Sequence, residues 1–69
     1  MKEDVCVCFG EKLRKFRLDL GYSQEELSFK TGLHRTYISS VERGERNISI
    51  TNIKKLADAL DLEMKDLVP

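Results

Sequence analysis

The side chains best suited to reading a nucleic acid lie close together in this 69-residue chain, between positions 35 and 40. Arg35 carries a guanidinium that can donate two parallel hydrogen bonds to guanine O6 and N7. Short hydroxyls follow it, and a threonine methyl can also contact thymine. One long cation among short hydroxyls fits the base edges in a major groove, whereas an ordinary solvated helix face is more often rich in Glu and Lys. We therefore predict four base contacts: Arg35, Thr36, Ser39 and Ser40.

Two short helices joined by a tight turn would present these side chains. Ser23 and Glu26 have the spacing of a capping box, which marks the start of a helix. Gly32 stands where the chain must turn sharply, and glycine tolerates a positive φ there. Apolar residues then recur at about 3.6-residue spacing, as they do on the inner face of a helix: Leu33, Ile38 and Val41. The pattern predicts a helix-turn-helix over residues 24–43.

Apolar residues recur at helical spacing through the rest of the chain, and the single proline, Pro69, breaks no helix. We expect an all-α fold, a compact five-helix bundle that forms one domain over residues 1–69. Residues 1–8 are expected to be an N-terminal lead. His34 is expected to cap the third helix less well than Ser or Asp would. The expected helices span about residues 9–20, 24–31, 35–43, 50–60 and 63–68.

The net charge of zero argues at first sight against a nucleic-acid partner, because such domains are often basic. The distribution answers that objection. Residues 12–55 hold ten Lys and Arg against five Asp and Glu, a net charge of +5, whereas residues 1–11 carry −2 and residues 56–69 carry −3. The cationic middle segment contains the predicted base contacts, and acidic ends can reduce non-specific binding.

Other classes of function find little support in the residues. No apolar run approaches the roughly 20 residues of a membrane span, and the N-terminus is unlike a signal peptide, so we expect a cytoplasmic protein with no membrane contact. Cys6 and Cys8 are too close for an unstrained disulfide; we interpret them as small apolar residues, with a metal or redox role as the alternative. His34 has no catalytic or ligating cluster near it in sequence. We expect no enzyme activity, metal, cofactor or small-molecule ligand.

Four segments stand in a familiar order: LRKFR at 13–17, GYSQEEL at 21–27, TYISSVERG at 36–44 and NISITNIKKLADALDL at 47–62. Together they resemble the Cro/C1-type helix-turn-helix family over about residues 13–67. Within that family, the RTYIS, VERG and RNISI strings are most similar to the controller proteins of restriction–modification systems. The resemblance implies a lambda-repressor-like DNA-binding domain.

The resemblance also assigns roles to polar residues outside the base contacts. The family pairs an arginine of the first helix with a glutamate at the end of the third, which here implies a structural salt bridge between Arg17 and Glu42. The family equivalent of Gln24 contacts phosphate, and a helix N-terminus favours an anion there. Tyr37 could be partly packed, bind phosphate or touch a base, and Arg46 could also reach a base edge or the minor groove. We predict DNA backbone contacts from Gln24, Tyr37, Arg43, Arg46 and Asn47.

The last part of the chain, about residues 50–69, carries more apolar surface than one small core covers. In the family this region pairs the subunits, so we predict a homodimer interface that contains Ile50, Leu62, Met64, Leu67 and Val68. The nearby acidic residues could form its polar rim.

The resemblance implies a homodimer that binds palindromic operators in double-stranded DNA, with two dimers on adjacent sites and RNA polymerase as candidate further partners. A controller of this kind activates its own gene and the endonuclease gene at low concentration and represses when adjacent sites fill. Two alternatives remain: a prophage-type repressor or antitoxin of the same fold, and a protein-interaction module that no longer reads DNA. Phe29 bears on the second, because it is either a partner contact or, as we favour, a partly covered surface ring.

Overall fold

A computed structural model describes residues 4–69. Within this range the chain forms five helices and no strand, which confirms the predicted all-α fold. None of these helices is long and apolar enough to cross a membrane. The helices are α1 (Val5–Asp19), α2 (Gln24–Thr31), α3 (Arg35–Glu42), α4 (Ile50–Ala59) and α5 (Met64–Leu67).

The first helix begins earlier than predicted, at Val5. The Asp4 carboxylate accepts hydrogen bonds from the backbone N–H groups of Cys6 (2.9 Å) and Val7 (3.3 Å) and so caps the helix. The prediction of an N-terminal lead over residues 1–8 is therefore wrong for residues 5–8, and residues 1–3 lie outside the described range. The extra turn gives α1 enough length to lie along the end of α3.

Local hydrogen bonds set the bounds and the turn of the helix-turn-helix. The predicted capping box forms, because Ser23 Oγ accepts from the Glu26 N–H (3.0 Å) and the Glu26 carboxylate accepts from the Ser23 N–H (2.9 Å). Gly32 ends α2 with a φ of 77°, the left-handed conformation that glycine adopts most readily. The Ser28 hydroxyl donates to the Leu33 carbonyl (2.6 Å) and closes the turn. These contacts place α3 across α2.

The core lies between the helices and includes a residue that we had predicted on the surface. Leu67 is fully buried, and α5 packs against α1 and α4. The prediction that Leu67 forms part of a dimer interface is wrong, because its side chain completes the core of a single subunit. The largest fully buried side chains are Leu13, Leu27, Ile38, Leu56, Leu60, Leu67 and Val41.

Helices α1 and α3 meet at Gly10. A Cβ atom added there would lie 2.5 Å from the Val41 carbonyl oxygen and 2.6 Å from that of Glu42. Both atoms belong to the backbone and cannot swing aside as a side chain would. Glycine at this position therefore allows α1 to approach the end of α3 closely.

Candidate nucleic-acid interface

The outer face of α3 carries most of the predicted base contacts. Arg35 and Thr36 are exposed in the first turn, and Ser39 is half-buried one turn later. The opposite face of the helix buries Ile38 and Val41 in the core. One face of α3 is therefore fixed by packing while the other presents polar groups outward, the arrangement needed for a helix that lies in a DNA groove.

Ser40 departs from this pattern. Its side chain is buried, with 8% of the residue exposed, and its hydroxyl donates to the Tyr37 carbonyl (2.8 Å). A serine hydroxyl in a helix commonly satisfies itself on the preceding turn in this way. The prediction that Ser40 contacts a base is wrong, because position 40 lies on the inner side of α3.

His34 caps α3 despite being an uncommon residue for this role. Its Nδ1 atom accepts a hydrogen bond from the Thr36 N–H (3.1 Å) and lies 2.7 Å from the Thr36 hydroxyl. Thr36 remains exposed beside this cap, and its methyl group and hydroxyl suit a thymine methyl and a hydrogen bond to a base edge.

A buried ion pair joins the three helices that frame this face. Arg17 Nε donates to Glu42 Oε2 (2.7 Å) and Nη2 donates to Oε1 (3.0 Å), with only 8% and 4% of the two side chains exposed. Arg17 also donates to the Tyr22 carbonyl (2.7 Å), and Gln24 Nε2 donates to Glu42 Oε1 (3.1 Å). The predicted Arg17–Glu42 pair is present. It ties α1 and the N-terminus of α2 to the end of α3.

Gln24 remains available for the predicted phosphate contact. Its amide carries two N–H donors, and the bond to Glu42 uses one of them. The side chain is half-buried at the start of α2, where the helix dipole favours an anion. One depression beside it is lined by Arg14, Ser39 and Arg43, and a second is lined by Ser23, Glu25 and Arg35. Arg14 is a cation on this surface that the sequence reasoning did not single out.

Arg43 and Glu45 form an exposed pair beside the end of α3. Arg43 Nε and Nη2 donate to the two Glu45 oxygens at 2.9 Å and 3.2 Å, and Nη1 donates to the Ser39 hydroxyl. The hydrogen bond from Arg43 holds the pKa of the Glu45 carboxyl below its usual value, and the same contact raises the pKa of the Arg43 guanidinium. Arg43, the predicted phosphate contact, is therefore already paired with the Glu45 carboxylate. The sequence alone did not indicate this pair.

Tyr37, Arg46 and Asn52 form a second cluster, which we call the tyrosine cluster. The Arg46 guanidinium carbon lies 5.6 Å from the centre of the Tyr37 ring, within the range of a cation–π contact. Asn52 Nδ2 of α4 donates to the Tyr37 hydroxyl oxygen (3.1 Å). The ring is half-buried and Arg46 is exposed. The contacts join the two predicted DNA-contacting side chains to each other and to α4.

The loop before α4 places Asn47 on the same side of the chain as the N-terminal turn of α1. The Cys6 thiol donates to Asn47 Oδ1 (3.1 Å), which leaves the amide N–H groups of this exposed residue available to a phosphate. Cys6 therefore has a structural contact beyond simple apolar packing. Of the described residues, no group of three or more His, Cys, Asp or Glu side chains is arranged to hold a metal ion.

The surface predicted to pair two subunits is partly present. Ile50 is 73% exposed and Val68 is 39% exposed, whereas Leu62 and Met64 are half-buried against the core. An apolar cleft beside Val68 is lined by Val5, Cys6, Phe9, Asn47, Ile48, Ile53 and Pro69. Apolar side chains at the start of α4 and the end of the chain thus remain uncovered in one subunit, as a dimer interface would require.

Phe29 lies on α2 and is 80% exposed. The expectation of a partly covered ring is wrong, because little of the rest of the chain packs against it. Scattered apolar side chains are common on protein surfaces, so its exposure alone identifies no partner.

The helix-turn-helix geometry agrees with comparisons to known proteins. Residues 13–67 match the family model described as helix-turn-helix. The chain belongs to this family. It is 48% identical to the control protein C.BamHI of Bacillus amyloliquefaciens, an alignment that covers 99% of this chain and 85% of that protein. The resemblance to Cro/C1-type domains and to restriction–modification controllers is therefore confirmed.

Solved structures of restriction–modification controllers are also similar to this chain. The restriction–modification controller protein C.AhdI from Aeromonas hydrophila superposes with a TM-score of 0.88 at 53% identity, over 90% of this chain and 94% of that one. The controller C.Esp1396I superposes with a TM-score of 0.83 at 32% identity, over 90% and 82% of the two chains. That controller was solved as a tetramer in complex with its natural 35 base-pair operator.

Proposed function

We propose that this chain is a transcriptional regulator that binds specific sequences in double-stranded DNA, as a restriction–modification controller in the cytoplasm. The observation that carries the proposal is the division of α3 into two faces. Arg35, Thr36 and Ser39 point outward, while the buried Arg17–Glu42 pair fixes the helix from behind. The similarity to C.BamHI and C.AhdI supports the controller assignment.

The residues around α3 would hold the DNA backbone. Gln24 stands at the N-terminus of α2, Arg43 at the end of α3, and Arg46 and Asn47 in the loop that follows. Contacts of this kind set the register of a protein on the duplex, and the base contacts then supply sequence preference. Arg35 is the candidate for the strongest base contact, because a guanidinium matches guanine in the major groove.

The direct test is a binding titration with the DNA immediately upstream of the chain's own gene. A duplex of the same base composition in scrambled order is the control, and both are measured at the same physiological salt concentration. We expect the upstream duplex to bind at least about 10³-fold more tightly, the lower end of the range for specific regulators. Equal affinity for the two duplexes would contradict the proposal. Mapping of the bound sites and of the neighbouring genes separates a controller from a prophage-type repressor or antitoxin.

We further propose a homodimer that joins through the apolar surface around Ile50 and Val68, with Leu62 and Met64 contributing their exposed edges. A two-fold axis there would place the two copies of α3 on one side, about 34–36 Å apart, which is one turn of DNA. Palindromic operators follow from that symmetry. The tetramer of C.Esp1396I on its operator supports two dimers on adjacent sites. Activation at low concentration, with RNA polymerase as a partner, and repression when both sites fill belong to the proposal through the family resemblance alone.

Ile50→Asp should produce a monomer that binds half-sites weakly, because a carboxylate would be buried at the centre of the interface. Sedimentation velocity measures the oligomeric state, and the binding titration measures the loss of affinity. Thr51→Asp is the matched control, because it adds the same charge at the next exposed position. We expect that control to stay dimeric. A dimeric Ile50→Asp variant with normal binding would place the interface elsewhere.

Arg43→Ala should weaken binding to every sequence and reduce the salt dependence. The slope of log K against log salt is negative, and each lost phosphate contact reduces its magnitude by about 0.9. Glu45→Gln should instead strengthen binding to every sequence and increase the salt dependence, because it removes the carboxylate that pairs with Arg43. Affinities for the upstream and scrambled duplexes at several salt concentrations check both variants. If Arg43→Ala changes base preference and keeps the slope, Arg43 contacts a base.

A further inference from the structure

The contact between Asn52 and Tyr37 determines which hydrogen-bonding group the tyrosine can offer. A phenol has one O–H donor and can also accept through its oxygen. Asn52 Nδ2 donates to that oxygen at 3.1 Å, so the contact uses the tyrosine as an acceptor. The phenol proton takes no part in it and remains available for an acceptor elsewhere.

The backbone of Asn52 is fixed at the start of α4. It is half-buried in the first turn of α4, and its backbone N–H donates to the Ser49 hydroxyl that caps the helix (3.2 Å). The cap fixes the backbone from which the side chain extends. Asn52 belongs to α4, outside the helix-turn-helix, and its side-chain contact with the Tyr37 hydroxyl would give it an effect on DNA through Tyr37.

The surroundings of the Tyr37 ring favour an electron-rich acceptor. Arg46 lies over the ring with its guanidinium carbon 5.6 Å from the ring centre. A cation at this distance and an amide N–H on the phenol oxygen both draw electron density away from the O–H group. Such a hydroxyl is a better donor and a poorer acceptor, and charge-assisted bonds to anionic oxygens are strong.

We propose that Asn52 is a positioning residue that fixes Tyr37 as a hydrogen-bond donor toward an acceptor on DNA, either a phosphate oxygen or an acceptor atom of a base. The inference rests on the proposed function and deepens it. It makes a residue outside the helix-turn-helix part of recognition. A contact with a base acceptor would exclude a base amino group at that place, whereas a contact with phosphate would strengthen binding to all sequences.

Asn52→Asp tests the direction of the bond. A carboxylate only accepts, so it would take the Tyr37 proton and turn an oxygen lone pair toward the DNA. Acidic residues are favoured in the first turn of a helix, so the variant should fold with an unchanged melting temperature. We expect its affinity for the upstream duplex to fall at least tenfold below that of Thr51→Asp, which adds the same charge at a neighbouring exposed position.

The Tyr37→Phe background shows whether the effect passes through the hydroxyl. In that background, Asn52→Asp should lower the affinity for the upstream duplex no more than Thr51→Asp does. The proposal is overturned if Asn52→Asp binds like Thr51→Asp in the otherwise wild-type chain, or if its extra penalty persists in the background that lacks the hydroxyl. An equal loss on upstream and scrambled duplexes identifies a phosphate acceptor, and a loss confined to the upstream duplex identifies a base.

The wild-type titration separates this proposal from the proposed function. If wild type prefers the upstream duplex and Tyr37→Phe binds as well as wild type, the chain reads DNA without the Tyr37 hydroxyl and the role of Asn52 is refuted alone. If wild type shows no preference for the upstream duplex over the scrambled one, the proposed function itself fails, and the assigned role of Asn52 fails with it.

Discussion

Glu42→Ala should lower the free energy of unfolding by about 3–5 kcal/mol, the usual loss when one partner of a buried ion pair is removed. Arg17 would keep its charge with only 8% of its side chain exposed, and it would retain only the bond to the Tyr22 carbonyl. Gln24 would also lose its partner. At about 4–8 °C per kcal/mol for a domain of this size, the melting temperature should fall by at least about 12 °C.

The matched control is Glu45→Ala, which breaks an exposed arginine–glutamate pair. Both side chains of that pair are more than half exposed, so water can replace the lost contact. We expect its melting temperature to stay close to that of the wild type. Thermal unfolding followed by circular dichroism compares the two variants. If both lower the melting temperature equally, the burial of the Arg17–Glu42 pair does not govern its contribution.

Arg35→Ala should remove most of the preference for the upstream duplex while leaving the fold intact. The loss of a bidentate contact with guanine costs about 1–3 kcal/mol per half-site, so a dimer on two half-sites should lose about 2–6 kcal/mol. Arg35 is exposed and forms no part of the core. The melting temperature should therefore remain unchanged.

The informative measurement is the ratio of affinities for the upstream and scrambled duplexes. That ratio should collapse toward one in Arg35→Ala. If affinity for the two duplexes falls by the same factor, Arg35 contacts only the backbone and another residue carries the preference. Thr36→Val, which keeps a methyl and the shape but loses the lone pair, then separates apolar contact with thymine from a hydrogen bond to a base amino group.

Features that depend on nearby residues could be predicted from the sequence. The capping box at Ser23 and the left-handed turn at Gly32 are local, and α2 has the predicted bounds. The Arg17–Glu42 pair joins residues 25 positions apart, and no periodicity identifies it. The family resemblance supplied it instead.

The wrong predictions for Ser40 and Leu67 share a physical cause, because the burial of a side chain depends on how whole helices pack. Ser40 differs from Ser39 by one position, or about 100° around a helix, and only the packing of α3 decides which serine faces outward. Leu67 was predicted in an interface because it is apolar, but its side chain is buried in the core of a single subunit. The early start of α1 is different: Asp4 is a good capping residue, and that signal was present in the sequence.

The fixed seating of α3 determines where adaptability must reside in a complex. Gly10 lets α1 press on one end of the helix, and the buried Arg17–Glu42 pair holds it from behind. A recognition helix held in this way has little freedom to adjust its position to the shape of a groove. Any mismatch in position between two such helices and their half-sites would have to be absorbed by bending or twisting of the duplex. The cost of that distortion depends on the flexibility of base-pair steps that the protein never touches. The base pairs between the half-sites would thereby contribute to sequence preference through their flexibility, although the protein does not contact them.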